Sequence, residues 1–178
     1  DMAEANFNLV LDAEARFAAA DMQKRLGIPY IELTMLYQLD KIKNQYALFA
    51  AALGSKFDDD IYFKEAFEAK EAFKKKYPHV VFAIGEGCNA NAFELAFALI
   101  RYEFEVAEVF GNLSKEDFVY IEKMAKVSPT TKIYSNLEPT MIYYEPGENP
   151  VDIVIGKDAS YYHPEAAKLE WSDDIQPF

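Results

Sequence analysis

The stretch from residue 80 to residue 111 constrains the fold of this chain most strongly. It reads VVFAIGEGCNANAFELAFALIRYEFEVAEVFG. Residues 80–84 are an unbroken apolar run, which is typical of a strand buried on both faces of a parallel sheet. A glycine-rich turn follows, then an asparagine that can cap a helix, Asn89 or Asn91, then apolar residues at helical spacing and a second apolar strand. This pattern predicts a β-turn-α-β unit, whose turn lies where open α/β sheets bind ligands.

The rest of the chain also alternates apolar runs with amphipathic segments, which predicts the α/β class. The expected architecture is a Rossmann-like parallel sheet, or sheets, with helices on both faces. Strands are predicted at residues 7–11, 29–33, 132–134, 151–155 and 167–171. Helices are predicted at residues 13–26, 40–53 and 58–76 and from Ser114 onwards, with a poor helix at 137–144 and a loop at 157–163.

The predicted elements fall into three parts. Residues 1–56 form the last β-α-β part of a preceding Rossmann-like domain, residues 57–77 a bridging helix, and residues 78–178 a nearly complete Rossmann-like domain. Two strands are too few for a free-standing sheet. We therefore expect the chain to be a piece of a longer protein.

Charge and cysteine content exclude several classes of protein. The formal net charge of −12 argues against nucleic acid or an anionic membrane as a partner. The first residues do not show the pattern of a signal peptide, so none is expected, and no apolar stretch of this sequence is long enough to span a bilayer. Cys88 is the only cysteine, so an internal disulfide is impossible and this chain alone cannot supply a cysteine-rich cluster site. A single thiol favours a reducing, cytoplasmic location.

The glycine-rich turn allows two interpretations. Gly85 and Gly87 begin a G-x-G-x-x-A motif that is correctly placed between a strand and a helix. The motif either makes a tight β-α turn or binds a dinucleotide. A dinucleotide site needs an acidic residue at the end of the second strand, but Glu108 lies inside that strand and Asn112 stands at its end.

Further candidate residues follow the predicted strands. Cys88 lies at the helix entry, where the helix dipole favours a thiolate that suits a metal, a cluster or redox chemistry. The alternative is a small residue in a turn. His163 is expected to be structural or solvated, and His79 to lie on the surface. The residues that follow strands can converge on one cleft, and the candidate binding residues are Asp12, Gly85, Gly87, Cys88, Asn89, Lys157, Ser160 and Glu170.

Several blocks of the sequence, in order, resemble the oxidoreductase/nitrogenase component 1 family. These blocks are residues 7–33, 81–111, 151–162 and 170–178, and the resemblance covers nearly the whole chain. It implies a subunit built of Rossmann-like domains around a metal cluster. The blocks are similar to the end of the second domain, a bridging helix and most of the third domain.

The sequence departs from that family at its metal-binding positions. In the molybdenum–iron subunits a cysteine that anchors the cofactor follows the strand matching residues 7–11, and here that position is Asp12. Glu170 is nearest to the position of the cofactor histidine, and Cys88 stands where an arginine is usual. The cysteines of the second cluster lie in a first domain that this chain lacks. Carboxylates are hard oxygen ligands, poorly suited to an iron–sulfur cluster.

The resemblance implies an oxidoreductase subunit that works with a homologous subunit and an ATP-dependent iron–sulfur reductase. An iron–sulfur or related cluster is then expected in the full-length protein, and this piece alone is expected to be catalytically silent. Two alternatives stay open. One is a non-catalytic scaffold for cofactor assembly, and the other is a nucleotide or small-ligand binding domain that uses the glycine-rich turn.

Overall fold

The computed structural model describes residues 5–88, 91–146 and 150–169, and for Ala13 the backbone alone. The chain folds into two compact units, residues 1–65 and residues 66–178. None of the described helices combines the length and the apolar character that crossing a membrane would require.

The first unit contains the predicted β-α-β arrangement. β1 (Asn8–Val10) leads through a short 3-10 helix (Ala13–Ala15) into α1 (Arg16–Leu26), and β2 (Tyr30–Glu32) pairs with β1 in parallel. α1 ends at Gly27, whose φ of +72° is the left-handed conformation that glycine adopts most easily. α2 (Leu39–Ala52) follows, and the unit boundary falls within α3 (Asp60–Lys76).

The second unit is a five-stranded sheet in which every neighbouring pair of strands is parallel, in the order β5-β4-β3-β6-β7. The strand order runs outwards from β3 in one direction and then restarts on its other side with β6. The switch point therefore lies between β3 and β6, as in a doubly wound fold, and the predicted α/β class is confirmed. The strands are β3 (Val81–Ile84), β4 (Glu105–Gly111), β5 (Lys132–Ser135), β6 (Ile153–Ile155) and β7 (Ala167–Leu169); the helices are α4 (Ala92–Arg101), α5 (Phe118–Val127) and α6 (Lys157–Tyr162), with a 3-10 helix at Pro139–Tyr143.

Helices cover both faces of this sheet. Successive side chains of a strand point to opposite faces. At the end of β4 the ring of Phe110 stacks on Tyr162 of α6, with ring centroids 4.7 Å apart. A Cβ atom at the next residue, Gly111, would meet the ring of Phe93 in α4. α4 and α6 therefore lie on opposite faces, and β3 between them is buried as predicted.

Two predicted elements differ from the structure. Residues 157–163 were predicted as a loop but contain α6. The prediction missed this helix because six residues are too few to show apolar periodicity. α5 begins at Phe118 and not at Ser114. Residues 114–117 instead form a turn, in which the Ser114 amide donates to Asp117 Oδ2 at 2.7 Å, one half of the expected capping box.

Candidate functional site

The loops after β3 and β6 meet at the switch point, where this class of fold binds ligands. The Gly85 amide donates to the carbonyl of Ile155 at 2.7 Å, and the Lys157 amide donates to the carbonyl of Glu86 at 2.8 Å. We call this pair of hydrogen-bonded loops the clasp. It fills the space between the two strand ends with backbone.

Glycines make the clasp possible. Gly156 has a φ of +95°, and a Cβ atom there would lie 2.3 Å from the carbonyl oxygen of Gly85. A Cβ atom on Gly85 would lie 2.5 Å from the backbone nitrogen of Ala159. Because backbone atoms cannot move aside as a flexible side chain does, neither position has room for a side chain. These glycines are therefore explained by close packing of backbone against backbone.

Asp158 extends the clasp to a third strand end. Its Oδ2 accepts from the Glu86 amide at 3.2 Å and from Asn136 Nδ2 at 2.8 Å. Asn136 directly follows β5, so one carboxylate joins the loops after β3, β5 and β6. The carboxyl edge of the sheet is thus held together by side chains as well as by backbone.

The N-terminus of α4, which would bind the phosphates of a dinucleotide, is capped by the protein itself. Asn91 Oδ1 accepts from the amides of Phe93 at 2.9 Å and Glu94 at 3.0 Å, which confirms the prediction of an asparagine cap. A hollow of about 270 Å³ lies beside it, lined in part by Glu86 and Asp117. The two carboxylates would repel a phosphate here, and the Phe93 and Glu94 amides that could bind it already donate to Asn91.

The carboxylate of Glu86 is held by the residue that follows β4. Asn112 Nδ2 donates to Glu86 Oε2 at 3.0 Å, and the Asn112 amide donates to the other oxygen. Asn112 occupies the position at which a dinucleotide site would place its ribose-binding acid. Its side chain and backbone are used here to orient the glycine-rich turn.

The structure brings together four of the predicted site residues at this edge. Gly85 is part of the clasp, and a Cβ atom on Gly87 would contact the aliphatic chain of Lys157 at 3.3 Å. The Lys157 side chain is exposed. The Ser160 hydroxyl donates to the Gly156 carbonyl at 2.9 Å. That these residues hold a cofactor stays a prediction.

The other predicted site residues lie elsewhere or outside the described part of the chain. Cys88 is half-buried and precedes the N-cap residue Asn91 by three positions, so it stands outside the first turn of α4. Asp12 belongs to the first unit, where its Oδ1 accepts from the Glu14 amide at 2.9 Å and so stabilises the 3-10 helix after β1. Asn89 and Glu170 lie outside the described residues.

Sequence reasoning missed a buried polar cluster on the α6 face of the sheet. His163 Nε2 lies 2.7 Å from Glu108 Oε2, and both side chains are more than nine-tenths buried. Tyr144 donates its hydroxyl hydrogen to the same carboxylate oxygen at 2.5 Å. Burial and then this hydrogen bond raise the pKa of Tyr144 well above its usual range. His163, expected to be structural or solvated, is therefore a partner of a buried acid.

One feature of the sequence pointed to this cluster. Glu108 interrupts the apolar run of β4, two positions before Phe110, so the two side chains share one face of the sheet. A carboxylate on a buried face needs a partner, because an unpaired buried charge is very costly. The alternation of side chains along β4 predicts the face of the sheet on which Glu108 lies. Only the folded structure shows that His163 and Tyr144 are its partners.

A model of the nitrogenase component 1 type oxidoreductase family matches residues 1–171. The chain belongs to this family. A solved structure of nitrogenase Cp1 at pH 6.5 has the same fold over 98% of the chain, with a TM-score of 0.73 and 14% sequence identity. The chain spans 40% of the length of that nitrogenase chain. No curated protein matches it.

The described residues of this component 1 type chain do not fit an iron–sulfur cluster. Among them, no group of three or more histidine, cysteine, aspartate and glutamate side chains is placed to hold a metal ion. Asp12 offers an oxygen ligand in place of the thiolate that such clusters prefer, and that oxygen already accepts a backbone hydrogen bond. We therefore assign no reaction step to a cluster held by these residues.

Proposed function

We propose that the chain is part of a longer nitrogenase component 1 type oxidoreductase subunit, in which it supplies scaffold and no cluster ligand. The family match over residues 1–171 carries this proposal. The chain's 40% share of the solved nitrogenase chain supports a longer parent subunit. The turn made by Asp12 supports a structural use of the position where the family places a cysteine.

In the parent protein, a homologous subunit and an ATP-dependent iron–sulfur reductase are the partners that this proposal implies. Any metal cluster would be held by residues outside the described part of this chain. In that case the clasp and the buried side chains of Glu108, His163 and Tyr144 stabilise the domain that borders the metal cluster.

The iron content of the full-length protein tests the proposal. We expect anaerobically purified protein to contain iron and acid-labile sulfide. Asp12→Asn should leave both unchanged, because an asparagine oxygen accepts the same backbone hydrogen bond. Asp12→Ala should also retain the iron and lower the free energy of unfolding by about 1 kcal/mol. Glu14→Gln, two residues away, is the matched control.

The contradicting outcomes are separate for the two parts of the proposal. Wild-type protein that is colourless and free of iron would contradict the oxidoreductase function. Loss of iron in Asp12→Asn, with unfolding unchanged, would show that Asp12 is a ligand and would contradict the scaffold role.

A second candidate function is a non-catalytic scaffold for cofactor assembly. Its motivation is that acids, Asp12 and Glu170, stand at or near the positions where the family resemblance places the cofactor cysteine and histidine. An assembly scaffold releases its cluster to an acceptor protein, whereas an oxidoreductase retains the cluster through reduction and reoxidation. Incubation of the iron-loaded protein with an apo-acceptor distinguishes the two. Nucleotide binding at the glycine-rich turn is less favoured, because the clasp and the capped α4 amides occupy that site.

A further inference from the structure

A pocket of about 550 Å³ opens beside the buried cluster, within the second unit. Its volume lies within the range of about 300–1,000 Å³ that small-molecule sites occupy. Three tyrosines line it, Tyr144, Tyr161 and Tyr162, together with three prolines and Glu138. The ring centroid of Tyr162 lies 4.8 Å from that of Tyr144 and 5.1 Å from that of Tyr161, with interplanar angles of 63° and 81°, so the three rings pack edge to face and form one angled aromatic wall.

One of the described residues that line the pocket carries a formal charge, and that charge is negative. Glu138 is the acidic lining residue, and its Oε1 is fixed by accepting from the amide and the hydroxyl of Thr140 at 3.3 and 3.1 Å. Among the described residues that line the pocket, none is lysine or arginine. The pocket thus offers a carboxylate to a positive charge, and none of its described lining residues carries a positive charge that could neutralise a carboxylate.

The buried cluster strengthens the attraction of this wall for a cation. Tyr144 donates its hydroxyl hydrogen to Glu108, and this hydrogen bond to a carboxylate increases the electron density of the phenol ring. The face of an aromatic ring attracts a cation through its quadrupole, and aromatic walls of this kind recognise quaternary ammonium groups.

We propose that this pocket binds a small quaternary ammonium compound of the choline type, one that carries no carboxylate. The methyl groups of such a cation contact the tyrosine rings and the prolines, and Glu138 balances its charge. Ligands that add a carboxylate, such as betaine, are disfavoured because Glu138 repels that carboxylate and no described lining residue carries a positive charge. The inference is independent of the redox function proposed above.

Calorimetric titration of the full chain, at constant ionic strength, tests the proposal with three probes. We expect choline chloride to bind. The neutral isostere 3,3-dimethylbutan-1-ol has the same shape without the charge, and we expect it to bind at least about 10-fold more weakly. Betaine should also bind more weakly than choline. Equal binding of choline and its isostere, or no binding of choline, overturns the proposal.

Two substitutions, each with a matched control, place the site. Tyr161→Leu should weaken choline about 2- to 5-fold and leave the isostere unchanged. Tyr143→Leu, at an equally exposed tyrosine outside the pocket lining, should have no effect (exposures of 78% and 79%). Glu138→Gln keeps an oxygen that can accept from Thr140 but removes the charge, and should weaken choline. Glu122→Gln removes one exposed charge from α5 and should not.

The controls decide between a built site and general electrostatics. Equal weakening by Glu138→Gln and Glu122→Gln would show that choline follows the overall negative charge of −12 and would overturn the proposal. So would full retention of choline binding in Tyr161→Leu.

Discussion

At the scale of single residues, Gly156 carries the most demanding backbone position of the clasp. Its positive φ would be strained for any other residue. A Cβ atom at this position would also clash with the carbonyl oxygens of Gly85 and Glu86. The sequence shows that Gly156 ends a strand, as Gly85 does. Only the structure shows that the two glycines are neighbours.

Gly156→Ala should therefore destabilise the second unit by about 3 kcal/mol or more, since both backbone strain and a backbone clash contribute. Urea unfolding, followed by circular dichroism, measures the loss. Gly87→Ala is the control. It has a similar φ of +83°, but the nearest atoms to its Cβ would be those of the flexible side chain of Lys157, and the nearest backbone atom, the Lys157 nitrogen, would lie at an ordinary contact distance of 3.7 Å. It should cost about 1 kcal/mol. Equal losses for the two variants would contradict the role of the clasp.

Residue-level prediction succeeded where the pattern is local and failed where partners are distant. The glycine motif and the asparagine cap involve neighbours in sequence, and both were located. Glu108 and His163 are 55 positions apart, so alternation along β4 gives the face of Glu108 but not its partner. The sequence placed Asp12 after a strand, as the structure does. It could not predict that Asp12 accepts a hydrogen bond from the Glu14 amide, because this bond depends on the turn that forms there.

At the scale of elements, the best-predicted segments are those that combine a clear boundary with a long apolar run. β3 and α4 have both, because a glycine-rich turn separates them and Asn91 starts the helix. α6 has neither, since its six residues follow a strand directly after one glycine. Short helices in such positions are set by tertiary packing, here of Ala159 and Tyr162 against the sheet.

Removal of the α4 cap should have a measurable cost. Asn91→Ala leaves two helix amides without their acceptor and should lower the free energy of unfolding by about 1 kcal/mol. Asn91→Ser keeps an acceptor for these amides but loses the donor to Asp117, which lies 2.5 Å away in the wild type. Chemical denaturation of both variants separates the two contributions. An unaffected Asn91→Ala variant would show that the cap does not stabilise α4.

At the scale of the whole molecule, the sequence predicted both the fold class and the family. It did so because the sequence blocks that resemble the component 1 family occur in the order expected for that family along nearly the whole chain. The strand order β5-β4-β3-β6-β7 follows from two runs of β/α units that share β3 as their centre. What the sequence could not supply is the contact between loops that end distant strands. The division at residues 65 and 66 falls inside one continuous helix, α3, within the segment predicted as a bridging helix, and no local pattern marks the exact point of division.

Tyrosine ionisation should limit the stability of the protein in alkali. Burial, as the largest cause, raises the pKa of Tyr120, Tyr134, Tyr144 and Tyr162 in the folded chain. In the unfolded chain a tyrosine ionises near pH 10. Above about pH 10 the unfolded state therefore loses protons that the folded state keeps, so stability falls as pH rises, whereas below about pH 9 these groups cause no change.

The midpoint of urea unfolding, measured between about pH 8 and pH 11, tests this expectation. The stability of Tyr144→Phe should decline less steeply than that of the wild type above pH 10, because one of the four tyrosines named above, whose pKa is raised by folding, is gone. Tyr143→Phe, at an exposed ring, should decline as wild type does. Parallel declines of all three proteins would contradict a contribution from Tyr144.

The position of β3 has a consequence for how the protein is made. β3 is the central strand of the sheet, and its partner β6 comes late in the chain. For example, the backbone amide of Val81 in β3 donates a hydrogen bond to the side chain of Asp152, which lies 71 positions later and directly before β6. During synthesis, β3 can pair with β4 almost at once, while its other edge stays bare until β6 has left the ribosome. A nascent chain stalled in this interval would present an apolar strand edge to chaperones, or to another nascent chain of its own kind.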